Sequence, residues 1–272
     1  MLKRIVTLVL VAGVAACATS PTGRKQLQLF PESQMRQMGL EAYSQMKKET
    51  PAVKDKAITG YVDCVAHAIT ATLDSRSGGD GWEVTVFRDD AVNAFALPGG
   101  KIGVYTGLLP VAKTPDQLAT VIGHEVAHVL ANHANARMST QYATSAGLSL
   151  IEALAGGSSQ EKQQTLALLG LGAQIGVILP FTRSQESEAD LLGLDLMARA
   201  GFDPRQSVKL WQNMSKAGGG APPEFLSTHP SHSTRIHDLE KRMPRAMNIY
   251  ERARSEGRDP QCKRPASIDG KG

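Results

Sequence analysis

The stretch "TPDQLATVIGHEVAHVLANH", residues 114–133, constrains this chain more than any other. Thr114 can cap a helix, Pro115 suits its first turn and Gln117 completes a Thr-x-x-Gln capping box. Val121, Ile122, Val126, Val129 and Leu130 then make the helix too apolar to lie on a surface. Yet the same run carries His124, Glu125, His128 and His133, three of the chain's seven histidines around one glutamate. Unpartnered imidazoles and a carboxylate are costly to bury. Positions four apart on a helix differ by about 40° in azimuth, so His124 and His128 share a face and can hold one metal ion. A metal ion offsets the cost of burying them.

In an HExxH helix two imidazoles bind Zn²⁺, and the glutamate, too far round to ligate, takes a proton from water activated by the ion. One Zn²⁺ per chain is expected, held by His124 and His128 with Glu125 as general base. A catalytic zinc needs a third protein ligand. In the spacing HExxHxxGxxH that ligand would stand at 134 with glycine at 131. This chain has Ala134 and Ala131, and His133 comes one position early, so His133 reads as a surface or supporting residue. The segment "RSQESEAD" offers a glutamate instead, with Glu186 and Asp190 one turn apart on a common face. Glu186 would complete the ligand set. Asp190 would accept the remaining N–H of a ligand histidine and fix its orientation. Glu188, about 200° round the helix from Glu186, is expected in solvent.

The rest of the chain surrounds this core. Its 272 residues, 42% of them hydrophobic, can fill one sizeable domain. Apolar spacing predicts a helix over 53–73, in which His67 reads as a surface histidine, and "WEVTVF" alternates as a strand. "NAFALPGGKIGVYTGLL" reads as strand, turn, strand, so a small antiparallel sheet precedes the motif helix. Residues 143–180 are apolar but broken by "GGSSQEKQQ", and neither half is long enough to span a bilayer. Further helices are expected over 184–200, 204–216 and from about 233 onwards. The fold class is therefore α+β and mainly helical.

At the N-terminus, Lys3 and Arg4 precede "IVTLVLVAGVAA", the pattern of a signal peptide over 1–16. "VAAC" resembles a bacterial lipobox, which makes Cys17 a lipidation site. Residues 17–32 then read as a polar lipidated tether, 33–257 as the catalytic domain and 258–272 as a disordered polar tail. Cys64 and Cys262 remain as an even pair in an oxidising compartment. A disulfide between them is expected, with two separate thiols as the alternative. Of the 30 basic residues, the 28 left without Lys3 and Arg4 exceed the 26 acidic ones by only two, which argues against a nucleic-acid partner.

The stretches "NAFALPGGKIGVYTGLL", "HEVAHVLANH", "RSQESEADLLGLDLMARAGFDP" and "STHPSHSTRI" together resemble the gluzincin metallopeptidase family of the CAAX prenyl protease and HtpX type, most of all its periplasmic lipoprotein members. The resemblance implies a zincin-like domain with His124, His128 and Glu186 as ligands, Glu125 as base and Asp190 as the orienting carboxylate. It places His229 near the metal, either donating to the oxyanion or ligating zinc and switching activity off. Arg235 is a second candidate for the donor or for holding the His229 loop, whereas His232 and His237 read as surface histidines. Asn93, Ala94, Phe95 and Ala96 would pair with an extended substrate. By this reading the chain is an envelope endopeptidase, anchored by lipid to the periplasmic face of the bacterial outer membrane. Unfolded polypeptides would be its substrates, and outer-membrane assembly or other envelope proteins its possible partners. The alternative is a chaperone-like or scaffolding lipoprotein with a latent zinc site.

Overall fold

The computed structural model describes residues 17–74, 81–154, 181–217, 224–229 and 234–268. The chain starts with two short strands, β1 (Cys17–Thr19) and β2 (Lys25–Leu27), paired antiparallel with Cys17 opposite Leu27. Two helices follow, α1 (Glu32–Glu49) and α2 (Lys56–Thr70). Asp55 caps α2 by accepting from the amides of Ala57 and Ile58, and Tyr61, Val62, Val65 and Ile69 form its buried stripe. Strands β3 (Glu83–Phe87), β4 (Ala94–Leu97) and β5 (Lys101–Tyr105) make a three-stranded sheet in the order β3-β5-β4. The β4–β5 pair is the antiparallel hairpin expected around Pro98, and β3 joins β5 in parallel. Strand β4 is therefore an edge.

The motif helix α3 (Pro115–Leu130) is buried continuously from Gln117 to His128. Thr114 accepts from the Gln117 amide at 3.2 Å, while the Gln117 side chain accepts from the Lys113 amide at 2.9 Å, one residue before the expected closure of the capping box. Ala131 and Asn132 end α3, with Asn132 in the left-handed region at φ 54°, and α4 (His133–Leu154) begins at once. Helix α5 (Arg183–Arg199) opens with a complete capping box between Thr182 and Gln185. Helices α6 (Gln206–Ala217), α7 (Glu224–Thr228) and α8 (Arg235–Ser255) complete the body. Among the described residues no helix is long and apolar enough to cross a membrane.

Helices α3 and α5 cross at Gly123 and Gly193. A Cβ on Gly193 would lie 2.7 Å from the His124 amide nitrogen, and one on Gly123 2.8 Å from the Gly193 carbonyl oxygen. Only glycine at both positions lets the two backbones approach this closely. The crossing is one residue from His124, so it sets how far the acidic face of α5 stands from the motif histidines.

Two expectations about the chain's ends need correction. Residues 17–32 are not a loose tether: β1 and β2 form a hairpin whose Gln26 amide bonds the Ala131 carbonyl at 2.8 Å, while the Leu29 amide donates to Ser139. The polar residues that read as linker are satisfied by partners on α3, α4 and α5. The tail after Gly257 is ordered through Ile268, because a disulfide joins Cys262 to Cys64 of α2. Arg264 adds a bond to the Leu109 carbonyl. Of residues 143–180, α4 carries the chain to Leu154, and the rest lies outside the described residues, as do 1–16 and His232.

Gly193→Ala should destabilise the protein by about 1–3 kcal/mol through overpacking and also weaken zinc binding, as read by denaturant titration and chelator competition. Cys262→Ser should lower stability by about 2–5 kcal/mol, because the bridge closes a loop with a sequence separation of 198 residues. Chemical denaturation with and without reductant checks this; the Ser variant should be insensitive to the reductant.

Candidate active site and metal centre

On α3, His124 and His128 turn their Nε2 atoms toward each other at 3.0 Å. Glu186 reaches them from the first turn of α5, with Oε1 3.4 Å from His128 Nε2 and Oε2 3.6 Å from His124 Nε2. His229, at the end of α7, brings Nδ1 to 3.1 Å from Glu186 Oε1 and 3.3 Å from His124 Nε2. One ligand atom from each of the four lies within 4.8 Å of the others, and all four residues are buried.

The contacts around these rings indicate what the cluster is suited to hold. Asp190 Oδ1 stands 3.0 Å from His124 Nδ1, so a neutral His124 carries its proton on Nδ1 toward that carboxylate and its Nε2 then presents a lone pair to another ring nitrogen. Lone pairs that close repel unless a cation lies between them. Three imidazoles and a carboxylate converging on one buried point match the donor set of zinc. Burial disfavours the charged form of His128 and holds its pKa well below the ordinary histidine range. At His124 the same burial is outweighed by the Asp190 hydrogen bond and the charge of Glu186, which raise its pKa. Burial alone would raise the Glu186 carboxyl, but the His128, His229 and His124 imidazoles around it hold it well below the usual carboxylate range.

Arg235 stands behind the ligands. Its Nη2 is 2.5 Å from Glu186 and its Nε 2.7 Å from Asp190, and the guanidinium lies over the Trp211 ring at 4.0 Å. In this geometry Arg235 clamps the two carboxylates. Glu125 is buried with an Oε1 that has no hydrogen-bond partner among the described residues, 3.5 Å from His229 Nε2. Burial raises its pKa, which suits the role of general base expected of it.

Some of the sequence expectations fall elsewhere. Glu188, expected in solvent, is buried, because the β1–β2 hairpin covers that face of α5: Thr22 Oγ1 donates to it at 2.6 Å and Arg24 Nε at 2.9 Å. His133 is fully buried between His128 and Glu188, a supporting and not a surface residue. Of Asn93, Ala94, Phe95 and Ala96, only Ala96 borders the cleft, a cavity of about 390 Å³ also lined by Leu97, His128, Arg137 and Phe181. Asn93, Ala94 and Phe95 are buried, Phe95 stacking on Phe87. Ala96 also gives Glu125 a backbone hydrogen bond. His67 and His237 are exposed. Phe181, whose ring lies 3.8 Å from that of His128, was not singled out by sequence, since a lone aromatic before a helix carries no pattern.

Fold and site together define a zincin-like domain: an HExxH helix, a buried cluster of His124, His128, Glu186 and His229 that could hold a metal ion, and a small sheet beside the motif helix. Residues 56–243 match the Peptidase family M48 profile, and the chain belongs to that family. It is 42% identical over 167 residues to the mitochondrial metalloendopeptidase OMA1 of Schizosaccharomyces pombe, covering 61% of this chain and 48% of that protein. The Arabidopsis thaliana protein of the same name is 39% identical, over 80% of this chain and 44% of its own length. The beta-barrel assembly-enhancing protease of Escherichia coli is 29% identical, over 76% of this chain and 43% of its own. The chain thus spans about half the length of the curated relatives it matches.

These relatives correct one expectation. A lipid-anchored site on the bacterial outer membrane was read from Lys3, Arg4 and the residues around Cys17, but the matches at 42%, 39% and 36% identity are all named as mitochondrial. The periplasmic lipoprotein branch of the family is likewise not what those matches point to. A short N-terminal pattern of charge and apolar residues is weak ground for a compartment.

Glu125→Gln should keep one zinc per chain and an unchanged fold while losing cleavage by at least about a hundredfold. Zinc content, circular dichroism and degradation of unfolded casein measure the three; undiminished turnover would remove Glu125 from the mechanism.

Proposed function

We propose that the chain cuts unfolded or misassembled polypeptides internally, holding an extended stretch of substrate along the free edge of β4. The observation that carries this reading is the junction of edge strand, cleft and base: Ala96 borders the cavity beside His128 and hydrogen-bonds the Glu125 carboxylate. Main-chain pairing on a strand edge is tolerant of side chains, which suits substrates recognised by their lack of structure. The name of the E. coli relative, a protease linked to β-barrel assembly, supports misassembled proteins as one such class. The catalytic unit proposed here runs from β1 to the Cys262 disulfide, wider than 33–257.

When bound, zinc supplies Lewis acidity that polarises the scissile carbonyl and lowers the pKa of water beside it. Glu125 then accepts the proton of the attacking water and passes it to the leaving amine. Asp190 keeps the His124 proton on Nδ1, and Arg235 holds Asp190 and Glu186 in place. Phe181 shields one side of His128 from solvent.

A resting form closed by His229 has its own support. His229 Nδ1 stands where a fourth ligand would, within 3.3 Å of both His124 and Glu186 atoms, and its ring is stacked on Phe225. A four-ligand site keeps no open position for water. The scaffolding alternative would share this closure but has no use for a buried Glu125 with an unsatisfied oxygen. His229→Ala should therefore raise casein cleavage by the zinc-loaded chain several-fold. A large fall with zinc retained would instead make His229 the oxyanion donor.

A further inference from the structure

We infer that His133 and Glu188 are positioning residues for the ligand His128, and that the β1–β2 hairpin belongs to the metal centre through Thr22 and Arg24. The inference rests on the site holding zinc. Glu188 is an acceptor only, so the 3.2 Å contact from His133 Nε2 places the His133 proton on Nε2. His133 Nδ1 is then bare and must accept across the 2.8 Å contact from His128 Nδ1–H. That leaves His128 Nε2 as a lone pair aimed at the ligand cluster. Three hydrogen-bonded groups thus select the one tautomer of His128 that can ligate.

The arrangement mirrors the other side of the site. There an arginine, Arg235, holds a carboxylate, Asp190, which orients His124. Here Arg24 holds Glu188, which orients His128 through one intervening imidazole. Both carboxylates come from α5, and each ligand histidine has its own line of support. The hairpin supplies the arginine for the second line, and Gln26 fixes the hairpin to the Ala131 carbonyl where α3 ends.

The test is zinc affinity by chelator competition on the full chain, with unfolding of the metal-free protein measured alongside. His133→Phe keeps a ring but can neither accept nor donate. His133→Gln keeps both functions, its carbonyl accepting from His128 and its amide donating to Glu188. We expect His133→Phe to weaken zinc binding by about ten- to a hundredfold and His133→Gln to recover most of the loss. Glu188→Ala should weaken binding too, and combining it with His133→Phe should add little, because the two act in series. Arg24→Ala should give a smaller loss in the same direction.

Zinc affinity of His133→Phe equal to that of the unsubstituted chain overturns the inference. So do equal losses for Phe and Gln that merely follow metal-free stability. If His133→Phe does not fold, Glu188→Ala decides, and unchanged affinity there overturns it equally. Failure of the unsubstituted chain to bind one zinc is a separate outcome: it removes the metal-site reading itself.

Discussion

The backbone contact between Gly123 and Gly193 is the constraint on which the site depends. Helices with side chains at their crossing sit about 8–10 Å apart, and a Cβ at either position here would overlap the other backbone. The close approach lets the short side chain of Asp190 reach His124 and lets Glu186 reach both motif histidines. Packing elsewhere on the two helices is ordinary core, with Leu118, Ile122 and Val126 on α3 and Leu194 and Met197 on α5 fully or nearly fully buried. The apolar contacts supply the stability, and the glycines set the distance.

That distance brings several ionisable groups together away from water. Glu125, Glu186, Glu188 and Asp190 are each 5% exposed or less, as are the four histidines 124, 128, 133 and 229. Replacing hydration at each carboxylate is expensive unless charge and hydrogen bonds return it. Arg235 does so for Glu186 and Asp190, and Arg24 with Thr22 for Glu188. Glu125 receives only a backbone hydrogen bond and neighbouring imidazoles, and its carboxyl is accordingly raised. The group left least compensated is the one proposed as general base.

The motif helix, its Thr114 cap, the shared face of Glu186 and Asp190 on α5 and the β4–β5 hairpin were legible because each is encoded locally, by spacing or capping chemistry. Glu188 was misread for a definable reason. Its angle from Glu186 was correct, but angle gives a direction on the helix and not what lies there. The covering hairpin comes from residues more than 160 positions away, whose polar composition resembles a linker because its partners are themselves polar. The ordered tail was missed similarly: a polar sequence tied by Cys262 cannot be told from a disordered one without knowing that the bridge forms. Gly123 and Gly193 gave no warning either, since a glycine inside a helix reads only as a weakness until its neighbour is known.

The same balance of burial and hydrogen bonds distinguishes the two ways in which His229 could leave the cluster. His229 is carried by α7, whose Phe225 is fully buried and whose backbone donates from Phe225 to Val92 and accepts from Phe181 at Thr228. Lifting α7 would expose Phe225, at about 1.5–3 kcal/mol, and break those two bonds at about 1 kcal/mol each. Turning the His229 side chain alone forfeits its ring contacts with Phe225 and Phe181, worth about 0.5–1.5 kcal/mol apiece. Both routes give up the same contacts to Glu186 and His124, so the difference lies in the rest, and it favours rotation. The helix is then a fixed platform beside the entrance to β4, where Glu224 also accepts from Asn93. The imidazole is the part that can swing clear of the site without disturbing the strand that would hold substrate.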